Sequence, residues 1–134
     1  VKAAYVDTSC LVGIALAEPG HESLGTSLDR FDQLSSSNLL EAEFRAALSR
    51  HGVADDGLIT GGLSWILPDR PLSSEISTVL AVGQLRGAGL WHLACALYLS
   101  PDPRAITFAT LDQRQSAVAA AIGFSVIVAG AATD

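Results

Sequence analysis

Three carboxylates, Asp7, Glu43 and Asp112, stand where their spacing could support chemistry. Asp7 closes the apolar run Ala3-Ala4-Tyr5-Val6, and Asp112 follows the run Ile106 to Ala109 after Thr110-Leu111. Each also opens a helical stretch, so each has two readings: a ligand, or a helix N-cap whose carboxylate accepts from free backbone N–H groups. Glu43 tips the balance towards a ligand set. Its neighbours at i−4, i−3, i+3 and i+4 are Leu39, Leu40, Ala46 and Ala47, and a carboxylate on an apolar face is costly enough to require a partner, often a cation. Glu41, about 200° round the same helix, is flanked by Ser37, Asn38, Phe44 and Arg45 and reads as solvent-facing, paired with Arg45 four residues on. Three carboxylates from separate elements suit a hard divalent cation, Mg²⁺ or Mn²⁺, which prefers oxygen ligands and keeps several waters. Such an ion polarises a phosphoryl oxygen and acidifies a bound water, so the reaction implied is phosphodiester hydrolysis.

The elements that must position these groups alternate short apolar runs with helical stretches, which predicts an α/β fold, a central short parallel sheet covered by helices. Strands are expected at 3–6, 33–36, 105–109 and 125–128, with at most a brief one at 66–68. Helices are expected at 8–17, 22–31, 38–50, 73–85, 90–99 and 113–121, and another at 54–65 weakened by Gly57, Gly61 and Gly62. No repeat, linker or low-complexity block interrupts the pattern, so residues 1–134 read as one domain. Ligands of such sheets bind outside the carboxyl ends of the strands, where Asp7 and Asp112 fall.

Of the 134 residues, 49% are hydrophobic and only 16% charged, which excludes a disordered chain. The longest apolar run, Leu90 to Leu99 broken by His92, is far short of the ~20 residues that cross a bilayer. No secretory signal pattern opens the sequence, and a cytoplasmic location is expected. Cys10 and Cys95 match no C-x-x-C pattern and read as buried thiols. The net charge of −6 has the wrong sign for simple phosphate neutralisation, so a nucleic-acid partner would need a mediating cation. No G-x-x-x-x-G-K loop occurs, which excludes nucleotide hydrolysis through a P-loop.

Other residues carry paired readings. Thr8, Ser9 and Thr110 either hold the acids, or a metal-bound water, by hydrogen bonds or cap helices. Arg86 and Arg114, two of only eight bases, are candidates for phosphate or RNA contact or are solvated surface groups. His92 reads as a packed helix histidine, with a place near the site mouth as its alternative. Trp65 could stack bases, whereas Trp91 reads as core or dimer interface. Asp102 reads as the start of the turn Pro101-Asp102-Pro103.

Four segments, in order and at this length, resemble the PIN-domain ribonucleases of the VapC toxin type. They are Tyr5-Val6-Asp7-Thr8-Ser9, the stretch Ser36 to Leu48, the stretch Arg86 to Ala94 (Arg-Gly-Ala-Gly-Leu-Trp-His-Leu-Ala), and Phe108-Ala109-Thr110-Leu111-Asp112-Gln113-Arg114. The resemblance implies a PIN-like three-layer fold and a Mg²⁺- or Mn²⁺-dependent endoribonuclease toxin. It further implies a homodimer, a VapB-type antitoxin partner, and structured RNA of the tRNA or rRNA class as substrate. By position, the first, second and fourth acids of the family fall on Asp7, Glu43 and Asp112. The third falls on Gly89, which has no ligand atom. Gly89 is either a natural variant working with three carboxylates and water, or a change that inactivates or weakens the site. The latter favours an alternative function, a catalytically silent PIN domain that binds antitoxin or RNA. A phosphoacceptor signalling domain ranks below both, because that fold needs a late lysine and the sole lysine here is Lys2.

Overall fold

A computed structural model describes residues 1–127. Its centre is a parallel sheet of five strands, β1 (Ala3–Val6), β2 (Gln33–Ser37), β3 (Leu63–Ile66), β4 (Thr107–Ala109) and β5 (Ser125–Ile127), in the order β3-β2-β1-β4-β5. All four pairings are parallel. The chain builds outward from β1 to β2 and β3 on one side, then crosses to β4 and β5 on the other. The strand order therefore reverses between β1 and β4, and the crevice at their carboxyl ends is where such sheets bind ligands.

Alternation along the strands divides the interior into two layers. Tyr5 on β1 and Phe108 on β4 are register partners, and their rings stack 5.4 Å apart at 4°. They face α4 (Ser73–Val82), α5 (Gly87–Leu99) and α6 (Gln113–Ile122), packing with Val79, Leu93, Val118 and Phe124. Their neighbours Val6 and Ala109 point the opposite way, onto α1 (Thr8–Ala15), α2 (His21–Leu28) and α3 (Leu39–Arg50) through Leu11, Leu24, Leu28, Leu40 and Phe44. The result is the expected α/β architecture in three layers, a short parallel sheet covered by helices on both faces. Cys10 and Cys95 lie in opposite layers as buried free thiols, and burial pushes the Cys95 thiol up to about 12. Trp91 packs against the α4–α6 layer, whereas Trp65 is part-exposed on the edge strand β3.

The helix expected at 54–65 is absent, and its last residues belong to β3. Asp55 and Asp56 accept from the backbone N–H groups of Gly57 and Leu58, a side-chain turn that competes with helix. Gly57 then turns left-handed at φ 77°, and a Cβ on Gly61 would lie 2.8 Å from the Gly57 carbonyl oxygen. The glycines are there because the turn needs them. Elsewhere the ends shift. Helix α1 stops at Ala15, with Ala17 at φ 51°, and α4 stops at Val82 before an extended Gly83. Helix α5 begins at Gly87 rather than Leu90, which puts Gly89 inside its first turn. The segment Pro103–Ala105 is a 3-10 turn capped by Asp102, so β4 starts at Thr107. Val128, expected in the last strand, lies outside the described residues. Among the described residues no helix is long and apolar enough to cross a membrane.

Candidate active site

Asp7 and Thr110 leave β1 and β4 side by side at the crevice. Asp7 caps α1, its Oδ2 accepting from Ser9 N–H at 3.0 Å. The Ser9 hydroxyl accepts from Leu111 N–H at 3.0 Å and lies 3.4 Å from Thr110 Oγ1, which ties the two strand exits together. The capping reading of Asp7 and its placement at the crevice are therefore both correct. Capping uses Oδ2 and leaves Oδ1 facing the site.

Glu43 reaches the same place from α3. Its Oε1 accepts from Thr8 Oγ1 at 2.7 Å and from His92 Nε2 at 2.8 Å, and the same His92 nitrogen lies 3.9 Å from Asp7 Oδ1. The hydrogen bond from His92 is the main reason the Glu43 carboxyl lies below the ordinary glutamate range, partial burial opposing it and Thr8 adding to it. His92 is 1% exposed, and its other nitrogen, Nδ1, lies 2.6 Å from Tyr5 Oη, which in turn accepts from Ser37 N–H at 3.1 Å. A carboxylate only accepts, so Nε2 carries the proton donated to Glu43, which leaves Nδ1 to take the Tyr5 hydroxyl proton. The histidine is packed, as its helix position suggested, and it also fixes the second acid. Glu41 faces solvent beside Arg45, 3.7 Å away.

Asp112 is placed differently. It is exposed at the start of α6 and its Oδ1 accepts from Gln115 N–H at 3.0 Å, the capping role. Its links to Asp7 are indirect, through Gln115 and through Thr110 and Ser9. The Gln115 side chain is 2% exposed; its Nε2 donates to Asp7 Oδ1 at 3.2 Å and to the Gly89 carbonyl at 3.1 Å, while its Oε1 accepts from Thr110 Oγ1 at 2.6 Å. Next to this bridge a groove of about 630 Å³ is lined by Gln84, Leu85, Arg86, Gly89, Asp112 and Arg114. The structure thus brings Asp7 and Glu43 together with Thr8, Ser9 and Thr110 beside them, and sets Asp112, Gly89, Arg86 and Arg114 on the adjoining groove.

Among the described residues no group of three or more His, Cys, Asp and Glu side chains is arranged to hold a metal ion. The donors that converge are the carboxylates of Asp7 and Glu43. Two carboxylates that share the His92 Nε2 neighbour, at 3.9 and 2.8 Å, are hard oxygen donors of the kind that suits Mg²⁺ or Mn²⁺, which are commonly held by one or two carboxylates plus water and phosphate. They do not make a closed cage. Sequence reasoning missed Gln115 because Asp112-x-x-Gln115 matches a capping box, in which the glutamine would turn back to its own helix end. Here Thr110 Oγ1 accepts from Asp112 N–H instead, at 3.0 Å, and the glutamine is released into the site. Compared with known proteins, the chain matches no family model and no curated protein.

Proposed function

We propose that this chain is a Mg²⁺- or Mn²⁺-dependent endoribonuclease of the PIN-domain toxin type, weakened by Gly89. The observation that carries the reading is the meeting of Asp7 and Glu43 at the carboxyl end of the β1/β4 crevice, beside a groove bearing Arg86 and Arg114. Asp7 and Glu43 are the residues that would hold the cation, with Asp112 on the groove as an outer acid. When bound, the ion supplies charge for the phosphoryl oxygen and acidifies a water. His92 and Thr8 keep Glu43 ionised and aimed, and Arg86 and Arg114 hold RNA phosphates along the groove. The proposal extends to a cytoplasmic toxin restrained by a VapB-type antitoxin, acting as a homodimer on RNA of the tRNA or rRNA class.

The test is cleavage of total RNA with Mg²⁺ or Mn²⁺ by the native chain, Asp7→Asn, Glu43→Gln and Glu41→Gln. Loss in the first two variants, with Glu41→Gln unchanged, is expected; equal loss in all three would discard the assignment of Glu43. The second reading, a catalytically silent domain that captures antitoxin or RNA, is favoured by the missing acid at Gly89 and by the hold of Gln115 on Asp7. It takes first place if neither the native chain nor Gly89→Asp cuts RNA.

A further inference from the structure

We infer that Gln115 is an internal competitor for the metal site, a neutral donor that occupies Asp7 and sets how tightly a divalent cation binds. The inference rests on the metal-site reading of Asp7 and Glu43. A glutamine carboxamide is buried at 2% exposure where its polar atoms have partners, and here Nε2 donates twice and Oε1 accepts once. One function of Gln115 Nε2 is at Asp7 Oδ1, the carboxylate oxygen that capping leaves free; the other is at the Gly89 carbonyl. The N–H bond points its positive end at the oxygen a cation would take, so the two compete for the same lone-pair region.

Two further observations show that the bridge is built in. The Oε1 end is anchored by a 2.6 Å hydrogen bond from Thr110, which fixes the amide so that Nε2 faces Asp7. Thr110 also receives Asp112 N–H, the donor that a glutamine at this helix position ordinarily serves. Position 89 completes the arrangement, since a Cβ there would meet Gln115 Nε2 at 3.6 Å, ordinary contact. The carboxamide therefore lies against the place where a side chain at residue 89 would start. Gln115 and Gly89 act as a pair: with no acid at 89, the amide satisfies Asp7 in the absence of a cation.

The test is Mn²⁺ binding by calorimetry to the full chain, Gln115→Met, Gly89→Asp and the double variant, with folding checked by circular dichroism. Methionine keeps the length and removes both the donor and the acceptor. Gln115→Met should bind Mn²⁺ about tenfold more tightly or better, the effect of freeing a hydrogen-bonded charge. Unchanged or weaker binding by a folded Gln115→Met overturns the inference, the weaker case meaning that the amide orients Asp7 for the ion. A second readout is the Gln115 side-chain amide in ¹⁵N spectra, identified by its loss in Gln115→Met. Its signals should shift on addition of Mg²⁺ in the native chain; signals unmoved at saturation also overturn the inference. If Mn²⁺ binds the native chain and Gly89→Asp but Gln115→Met gains nothing, only the role of Gln115 falls. If no variant binds, the metal-site reading falls and takes this inference with it.

Discussion

Gly89 has room for a side chain, and what an acid there does to stability depends on two opposed effects. Replacing a glycine in the first turn of α5 by Asp removes backbone freedom from the unfolded chain and places a negative charge at a helix N-terminus, together about 1 kcal/mol in favour. Against this, the new carboxylate would share the Gln115 amide with Asp7. Two carboxylates about 6 Å apart repel by about 3 kcal/mol at an effective dielectric of about 20. Repulsion wins, so Gly89→Asp should melt below the native chain without metal and gain more from added Mn²⁺. A metal-free melting temperature above the native value would show that the two acids do not face each other. Tyr5 offers a cleaner case, because its hydroxyl alone links Ser37 N–H to His92 Nδ1 in the core. Tyr5→Phe keeps the stack on Phe108 and leaves two buried groups without partners, a loss of about 1–3 kcal/mol in urea denaturation. A loss below about 0.5 kcal/mol would mean that the Ser37–Tyr5–His92 chain does not support Glu43.

Helix α4 is held to α5 from its exposed start. Arg70 makes paired hydrogen bonds to Glu75, at 3.0 and 2.5 Å, and lies 5.2 Å from the centre of the Tyr98 ring, while Tyr98 Oη donates to Asp69. The bonds from Arg70 hold the Glu75 carboxyl down at about 2, against an ordinary value of 4.5. A depressed acid stabilises the fold fully above its unfolded value and loses that contribution as pH falls towards its folded one. The melting-temperature gap between the native chain and Glu75→Gln should therefore be small but constant above pH 4.5 and close between there and about 2; solvent keeps it small. A gap that persists unchanged at the acid end would assign it to packing. The elements themselves divide along similar physical lines. Strand β1 and helix α3 follow from a local pattern, an apolar run and an apolar face, and the sequence read them correctly. The turn at 57–62 did not follow, because Asp55 and Asp56 act on backbone that a helical pattern would also accept. Gln115 failed for a related reason: its spacing from Asp112 specifies a local cap, and only the fold brings Thr110 in to release it. Asp7 and Glu43 were readable since each broke a local rule, a charge at a strand exit and a charge on an apolar face.

If the chain binds RNA as proposed, its net charge of −6 opposes the approach, and the groove arginines must carry the binding. Each phosphate neutralised on a single strand contributes about −0.7 to the slope of log affinity against log salt. With Arg86 and Arg114 as the two cations on the groove lining, the slope for a single-stranded oligonucleotide should be about −1.4 at fixed Mg²⁺. It should fall to about −0.7 in either Arg86→Gln or Arg114→Gln. The Asp7→Asn background keeps the oligonucleotide intact during the titration. A slope beyond about −3 would require a second basic surface, for which the pocket that Lys2 and Arg30 line together is the place to look. A slope unchanged by either substitution would move the RNA off this groove and, with it, away from Asp7 and Glu43. The salt dependence therefore tests the path of the substrate as well as its affinity, because the groove of Arg86 and Arg114 adjoins Gly89, whose carbonyl shares the Gln115 amide with Asp7.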